Sequence, residues 1–155
     1  LTSGGVSVGD FDYVKAVFAE RGTVDFWQVA IRPGKPLAFG EWGETLFFGL
    51  PGNPVSSLVT FELFVRPALL KMRGLSELSR PLVQAQLTEA ASHAMGRRSY
   101  QRAFAWREQD TWFAHPVGGQ GSHQMRAMTL ANALLLLPHD LPEIAAGEFA
   151  TVMLL

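Results

Sequence analysis

A change of pattern near Ser79 constrains this 155-residue chain more than any other feature. Before it, apolar residues recur at helical spacing between short runs rich in β-branched and aromatic residues. After it, short β runs separated by glycine, proline and charged turns dominate. The expected fold class is therefore α/β, with an α/β domain over residues 1–78 followed by a small all-β domain over residues 79–155.

Within the first half, Phe11, Val14 and Phe18 fall at i, i+3 and i+7, with Asp10 as a candidate cap and Gly22 as a stop, which predicts a short helix. Residues 24–31, 37–39 and 46–50 read as strands, with a turn over residues 40–45. Residues 54–73 read as a helix opened by Pro54, with Val55, Leu58, Val59 and Leu63 on one face and Gly74 at its end. Pro67 should kink or split it. In the second half, strands are expected over residues 82–87, 100–106, 111–117, 134–137 and 149–154, with a short helix inside residues 122–131.

Hydrophobic residues make up 48% of the chain, enough for a core. Thirteen basic and fourteen acidic residues leave a formal net charge of −1, which excludes a chain-wide nucleic-acid footprint, so any anion site must be local. The absence of cysteine excludes disulfides, thiolate metal sites and cysteine nucleophiles. The longest apolar run, residues 133–138, is too short to span a bilayer, and the first residues do not resemble a signal peptide. A cytoplasmic protein without a membrane partner is the expectation. Leu1 runs directly into Thr2-Ser3-Gly4-Gly5, as if out of a strand, so the sheet is expected to begin upstream and to leave an apolar edge or face exposed here.

Three segments could carry chemistry. Ser3-Gly4-Gly5-Val6-Ser7-Val8-Gly9-Asp10 is a run of small residues that lets backbone N–H groups approach an anion, or else a tight strand-to-helix turn. Arg32-Pro33-Gly34-Lys35-Pro36 presents two cations from a stiffened loop, suited to an anionic ligand, or is simply a charged turn. Gly49-Leu50-Pro51-Gly52-Asn53-Pro54-Val55-Ser56-Ser57 ends a strand and opens the long helix, aiming free N–H groups outward, although Asn53 or Ser56 could instead serve as caps. Asp12, just past the glycine-rich loop, suits magnesium beside a phosphate, or is a first-turn acid favoured by the helix dipole.

In the second half, Arg97, Arg98 and Arg102 could complete an anion pocket or protect an edge strand. Gln120-Gly121-Ser122-His123 forms a polar loop. His93, His115, His123 and His139 lack the spacing of a metal site. Trp27, Trp42, Trp106 and Trp112 are expected at core or edge positions.

Taken in order, Thr2-Ser3-Gly4-Gly5-Val6-Ser7, Pro33-Gly34-Lys35-Pro36, Gly49-Leu50-Pro51-Gly52-Asn53-Pro54-Val55-Ser56 and Gln120-Gly121-Ser122 resemble the MoeA/gephyrin E-domain family of molybdopterin molybdenumtransferases. The resemblance runs the whole length of the chain. It implies that residues 1–78 are the later half of a MogA-like, three-layer α/β domain, and that residues 79–155 are the family's C-terminal β-barrel domain.

Such enzymes use Mg²⁺ to insert molybdate into adenylylated molybdopterin with release of AMP. The resemblance places Gly4, Gly5, Ser7, Gly52, Asn53, Pro54 and Ser56 at the substrate pocket, and Asp12 as a catalytic acid and metal ligand. It sets Arg32, Lys35, Pro36, Arg102 and Ser122 around molybdate, in a site between two domains, with Lys35 also catalytic. It further implies a homodimer, a MogA-like adenylyltransferase as a possible partner, and additional active-site residues outside this sequence, so that the segment alone would be inactive. Gln28 stands where some relatives carry lysine. Alternative functions are a MogA-type molybdopterin adenylyltransferase, against which the Pro-Gly-Lys-Pro segment and the β domain argue, and a gephyrin-like scaffold.

Overall fold

The computed structural model describes residues 1–4, 23–121 and 124–155, with the backbone alone at Val24, Asp25, Phe26 and Trp27. The expected helix after Asp10, together with Gly5, Ser7, Asp12, Ser122 and His123, lies outside these residues. The chain forms two compact units, Leu1–Leu78 and Ser79–Leu155.

The first unit is built on a mixed sheet. Strands β1 (Thr2–Ser3), β2 (Thr23–Gln28), β4 (Pro36–Trp42) and β5 (Thr45–Leu50) lie in the order β1-β5-β4-β2, and the two-residue β3 (Ile31–Arg32) is not part of this sheet. β1 runs parallel to β5, pairing Thr2 with Gly49 and Ser3 with Leu50; the other two pairings are antiparallel. The turn expected over residues 40–45 is tighter than that. The β4–β5 ladder continues to Trp42 opposite Thr45, because Gly43 at φ +58° closes the hairpin in two residues. Leu37, Leu50 and Val65 form the buried core here, with Phe48, Phe61 and Phe64 packed against them.

The long helix begins where β5 ends. It comprises α1 (Pro54–Thr60), a π-helical stretch (Phe61–Val65) and α2 (Arg66–Met72). Pro67 neither stops nor splits it. Proline has no N–H to offer the carbonyl one turn back, and the helix widens just before it, with the Arg66 N–H reaching Phe61 O instead. Gly74, at φ +81°, ends the helix with two bonds, Gly74 N–H to Lys71 O and Leu75 N–H to Leu70 O.

The buried face of α1 is Val55, Ser56, Val59 and Thr60, and Leu58 is exposed, contrary to the face expected from the sequence. Two hydroxyl residues can share this apolar stripe because Thr60 Oγ1 bonds to the Ser56 carbonyl at 2.8 Å, so its donor is satisfied locally. Leu69, Met72 and Leu75 are exposed as well.

The second unit is a closed five-stranded barrel of β6 (Leu82–Leu87), β8 (Arg98–Glu108), β9 (Thr111–Pro116), β10 (Ala133–Leu137) and β12 (Phe149–Leu154). Going round it, β10 pairs with β12, β12 with β6, β6 with β9, β9 with β8, and β8 back to β10; only β6–β9 is parallel. A two-residue clip joins β7 (Ala91–Ser92) to β11 (Glu143–Ile144), and the expected helix is the short α3 (Met125–Leu130).

The interior explains the alanine-rich strands. Ala85, Ala103, Ala105, Ala114, Ala133 and Ala150 are buried with Leu87, Leu135, Leu137 and Val152, small against large, as a narrow barrel requires. None of the three tryptophans with described side chains is buried: Trp42 is exposed, and Trp106 and Trp112 are half-buried. Among the described residues, no helix is long and apolar enough to cross a membrane. If the interior is filled as described, Ala114→Leu should destabilise the protein by about 1–3 kcal/mol through overpacking. An unchanged urea midpoint would show free space inside the barrel.

Candidate functional site

Two of the sequence segments meet at the carboxyl ends of β1 and β5. Parallel neighbouring strands deliver their following loops to the same side, the usual place for a ligand in an α/β sheet. Here the chain leaves β1 at Gly4 and β5 at Pro51. Gly4 N–H bonds to Leu50 O at 3.0 Å, and a side chain on Gly52 would lie 3.4 Å from the Gly4 Cα. Gly4 itself is at φ +91°, a conformation that favours glycine. The two loops thus run backbone against backbone.

Hydroxyl groups join the same place. Ser3 Oγ lies 3.2 Å from Pro51 O and 3.1 Å from Ser57 Oγ, and Ser57 Oγ also donates to Pro51 O. Asn53 occupies the N-cap position of α1 without a side-chain capping bond, and Pro54 fills the first turn. Ser57 N–H reaches Asn53 O at 2.9 Å, while helix geometry leaves the Val55 and Ser56 amides without a carbonyl one turn back. Ser56 is buried and is not a cap; Ser57 is the serine beside Ser3. Sequence reading singled out Ser56 and missed the pairing of Ser3 with Ser57, although both residues stood inside the quoted motifs.

The third segment, residues 32–36, lies on the first turns of the same helix. A Cβ on Gly34 would fall 2.5 Å from Thr60 Cγ2 and 3.6 Å from the Ser56 carbonyl oxygen, and Gly34 is at φ +107°. Only glycine allows this approach. The loop is tied by Val29 N–H to Lys35 O at 2.9 Å. Lys35 is exposed, Arg32 and Pro36 are half-buried, and among the described residues no carboxylate forms an ion pair with either cation. The first unit therefore brings together Gly4, Gly52, Asn53, Pro54, Ser56 and the Lys35 loop around the start of α1.

In the second unit Arg102 stands in the middle of β8, opposite Leu134, with no exposed surface. It is not an edge residue, because β8 has neighbours on both sides of the closed barrel. Its guanidinium Nη2 donates to Gly119 O at 2.7 Å and Gly121 O at 3.1 Å, while Nε is buried with no partner among the described residues. Burial pushes its pKa below the ordinary arginine value, yet the group remains a cation at neutral pH.

Gln120 returns the contact. Its Oε1 accepts from Arg102 N–H at 2.9 Å, and its Nε2 donates to Arg102 O at 3.0 Å and Val117 O at 3.2 Å. Asn132 treats Ala105 in the same way, accepting from its N–H at 2.7 Å and donating to its carbonyl at 2.8 Å. Two side-chain amides thus extend the ladders of β8 where its neighbouring strands leave.

The described histidines make local contacts. His93 Nε2 is 2.8 Å from Leu141 O, and His115 lies against the rings of Phe104 and Trp106. Among the described residues, no group of three or more His, Asp and Glu could hold a metal.

Both halves match known family descriptions: residues 1–71 match a probable molybdopterin binding domain, and residues 84–155 match the MoeA C-terminal region, domain IV. The chain belongs to the MoeA/gephyrin family. It is 43% identical over 154 residues to a molybdopterin molybdenumtransferase of Haemophilus influenzae, covering 98% of this chain and 38% of that protein. A gephyrin of Dictyostelium discoideum is 36% identical over 179 aligned positions, covering all of this chain and 25% of its relative. The fold is similar to that of the molybdopterin biosynthesis MoeA protein from Pyrococcus horikoshii, with a TM-score of 0.77, 31% identity, and coverage of 98% of this chain and 36% of that one. The chain thus spans well under half the length of these relatives.

The contact between Gly34 and Thr60 gives a direct test. Gly34→Ala should destabilise the protein by about 2 kcal/mol or more, from the clash and the positive φ together. Adding Thr60→Ser, which removes Cγ2 and keeps the hydroxyl, should recover part of that loss in urea unfolding. Equal stability of the single and double variants would show that Thr60 does not confine the loop.

Proposed function

We propose that this chain forms part of a molybdopterin molybdenumtransferase, and that the cluster at the start of α1 recognises the oxyanion and phosphate groups of its substrates. The observation that carries the reading is the convergence of the Ser3-Gly4 loop, the Pro51–Ser57 segment and the Lys35 loop on one helix start. Free first-turn amides and the positive end of the helix favour an anion, the serine hydroxyls tie the two loops together through the Pro51 carbonyl, and Lys35 and Arg32 supply charge. A tetrahedral dianion such as molybdate suits that donor set, in which no soft ligand takes part.

In this reading, adenylylated molybdopterin loses AMP by hydrolysis and its dithiolene ligates molybdate. The residues of this chain bind and orient the anionic groups: backbone amides at Val55 and Ser56 hold oxygen atoms, and Lys35 offsets their charge. In the second unit the same reading assigns oxyanion recognition to Arg102, as a fixed cation in a low-dielectric surrounding, and to Ser122. Gly5 and Ser7 would line the substrate pocket.

The magnesium expectation rests on Asp12. The described residues do not by themselves present a metal site. A cytoplasmic homodimer working with a MogA-like adenylyltransferase completes the proposal. The match of residues 84–155 to the MoeA C-terminal region supports this reading over a MogA-type adenylyltransferase.

Lys35 is exposed, so its removal should leave the fold intact. Lys35→Ala is expected to weaken molybdate binding in calorimetric titration by about tenfold or more, the loss of one charge-assisted contact, with an unchanged melting temperature. Sulfate serves as the control anion. Wild-type affinity in the variant would remove Lys35 from the site.

A further inference from the structure

The Arg102–Gln120 contact is reciprocal, and this separates it from ordinary loop packing. β9 stops pairing with β8 at Pro116, opposite Ala103, and one more backbone bond follows, Val117 N–H to Arg102 O at 2.9 Å. Beyond that point the chain turns away through Gly118, at φ +59°, so β9 itself offers the Arg102 N–H no carbonyl. The carboxamide of Gln120 fills the gap, pairing with the N–H and C=O of Arg102 as a strand residue would. Arg102 in turn spends its guanidinium on the carbonyls either side of Gln120, those of Gly119 and Gly121. Both the root and the tip of this long cationic side chain are thus tied to one five-residue segment, residues 117–121.

We infer that Gln120 is a positioning residue for oxyanion recognition: it fixes the backbone from which Arg102 projects and the loop, residues 117–121, against which the guanidinium is held. This rests on the functional reading above, in which Arg102 is the recognising cation. Among the described residues the Gly119 and Gly121 carbonyls take up Nη2 and Nε has no partner, so the guanidinium retains a donor for an anionic ligand. A glycine-rich loop has no side chains to hold its own shape, and Gln120 supplies that restraint from within it.

Asn132 provides a matched control. It makes the same two amide-to-backbone bonds to β8, at Ala105 and with similar lengths, and among the described residues its amide makes no hydrogen bond to the loop or to Arg102. Gln120→Ala and Asn132→Ala should therefore lower the melting temperature to a similar degree. Only Gln120→Ala should weaken molybdate binding, by about tenfold, and only it should speed amide hydrogen exchange at Gly119 and Gly121. If Gln120→Ala does not fold, Gln120→Met, which keeps the chain length and bulk, serves for the same comparison.

Equal loss of molybdate affinity in both variants would reduce Gln120 to a structural residue and overturn the inference. So would wild-type affinity and exchange in the Gln120 variant. Should the unmodified protein bind no molybdate, the functional reading fails, and exchange decides alone. Acceleration confined to the Gln120 variant would sustain its hold on the loop, and unchanged exchange would refute it.

Discussion

The contact of Gly34 with Thr60 is the constraint on which the first unit's site depends. At 2.5 Å from a methyl carbon, no Cβ fits, so the loop carrying Arg32 and Lys35 can lie on the helix only because residue 34 is glycine. The same helix start receives Pro51 and Gly52 from β5 and, through the Ser57 hydroxyl, Ser3 from β1. Three segments far apart in sequence are thereby gathered by one turn of helix. The proline at the head of α1 and the threonine on its buried face belong to this arrangement as much as the charged residues do.

The second unit solves a different problem. A five-stranded barrel has a narrow interior, and small alanines set against leucines occupy it. Closure leaves β8 without a free edge except where its neighbours depart, and Gln120 and Asn132 cover those places. A buried arginine in such a barrel is costly unless its donors are met, and the Gly119 and Gly121 carbonyls meet part of that need.

Strand positions in the barrel were legible because each is an apolar run bounded by turn residues, and the helix over residues 54–72 because Pro54 and Gly74 mark its ends. The family was legible from the order of four motifs, none of them specific alone. Other features depend on tertiary context. Leu58 carries a helical apolar spacing yet is exposed, since Ser56 and Thr60 take the buried face by satisfying their polar atoms locally. The π-helical turn before Pro67 is a backbone response that spacing does not encode. Arg102 reads in sequence as one of a basic cluster, and only the folded chain, which lays residues 119–121 against its guanidinium, reveals it as buried. Gln120 stood in a quoted motif, but its role is a matter of bonds to a strand that precedes it by eighteen positions.

The helix start in the first unit is proposed as an anion site assembled from separate segments. Backbone amide chemical shifts followed during titration with molybdate, with sulfate as control, test it most directly. Saturable, molybdate-selective shifts at Gly4, Gly52, Val55, Ser56 and Lys35 with a common affinity are expected. Shifts confined to other regions, or equal responses to sulfate, would contradict it.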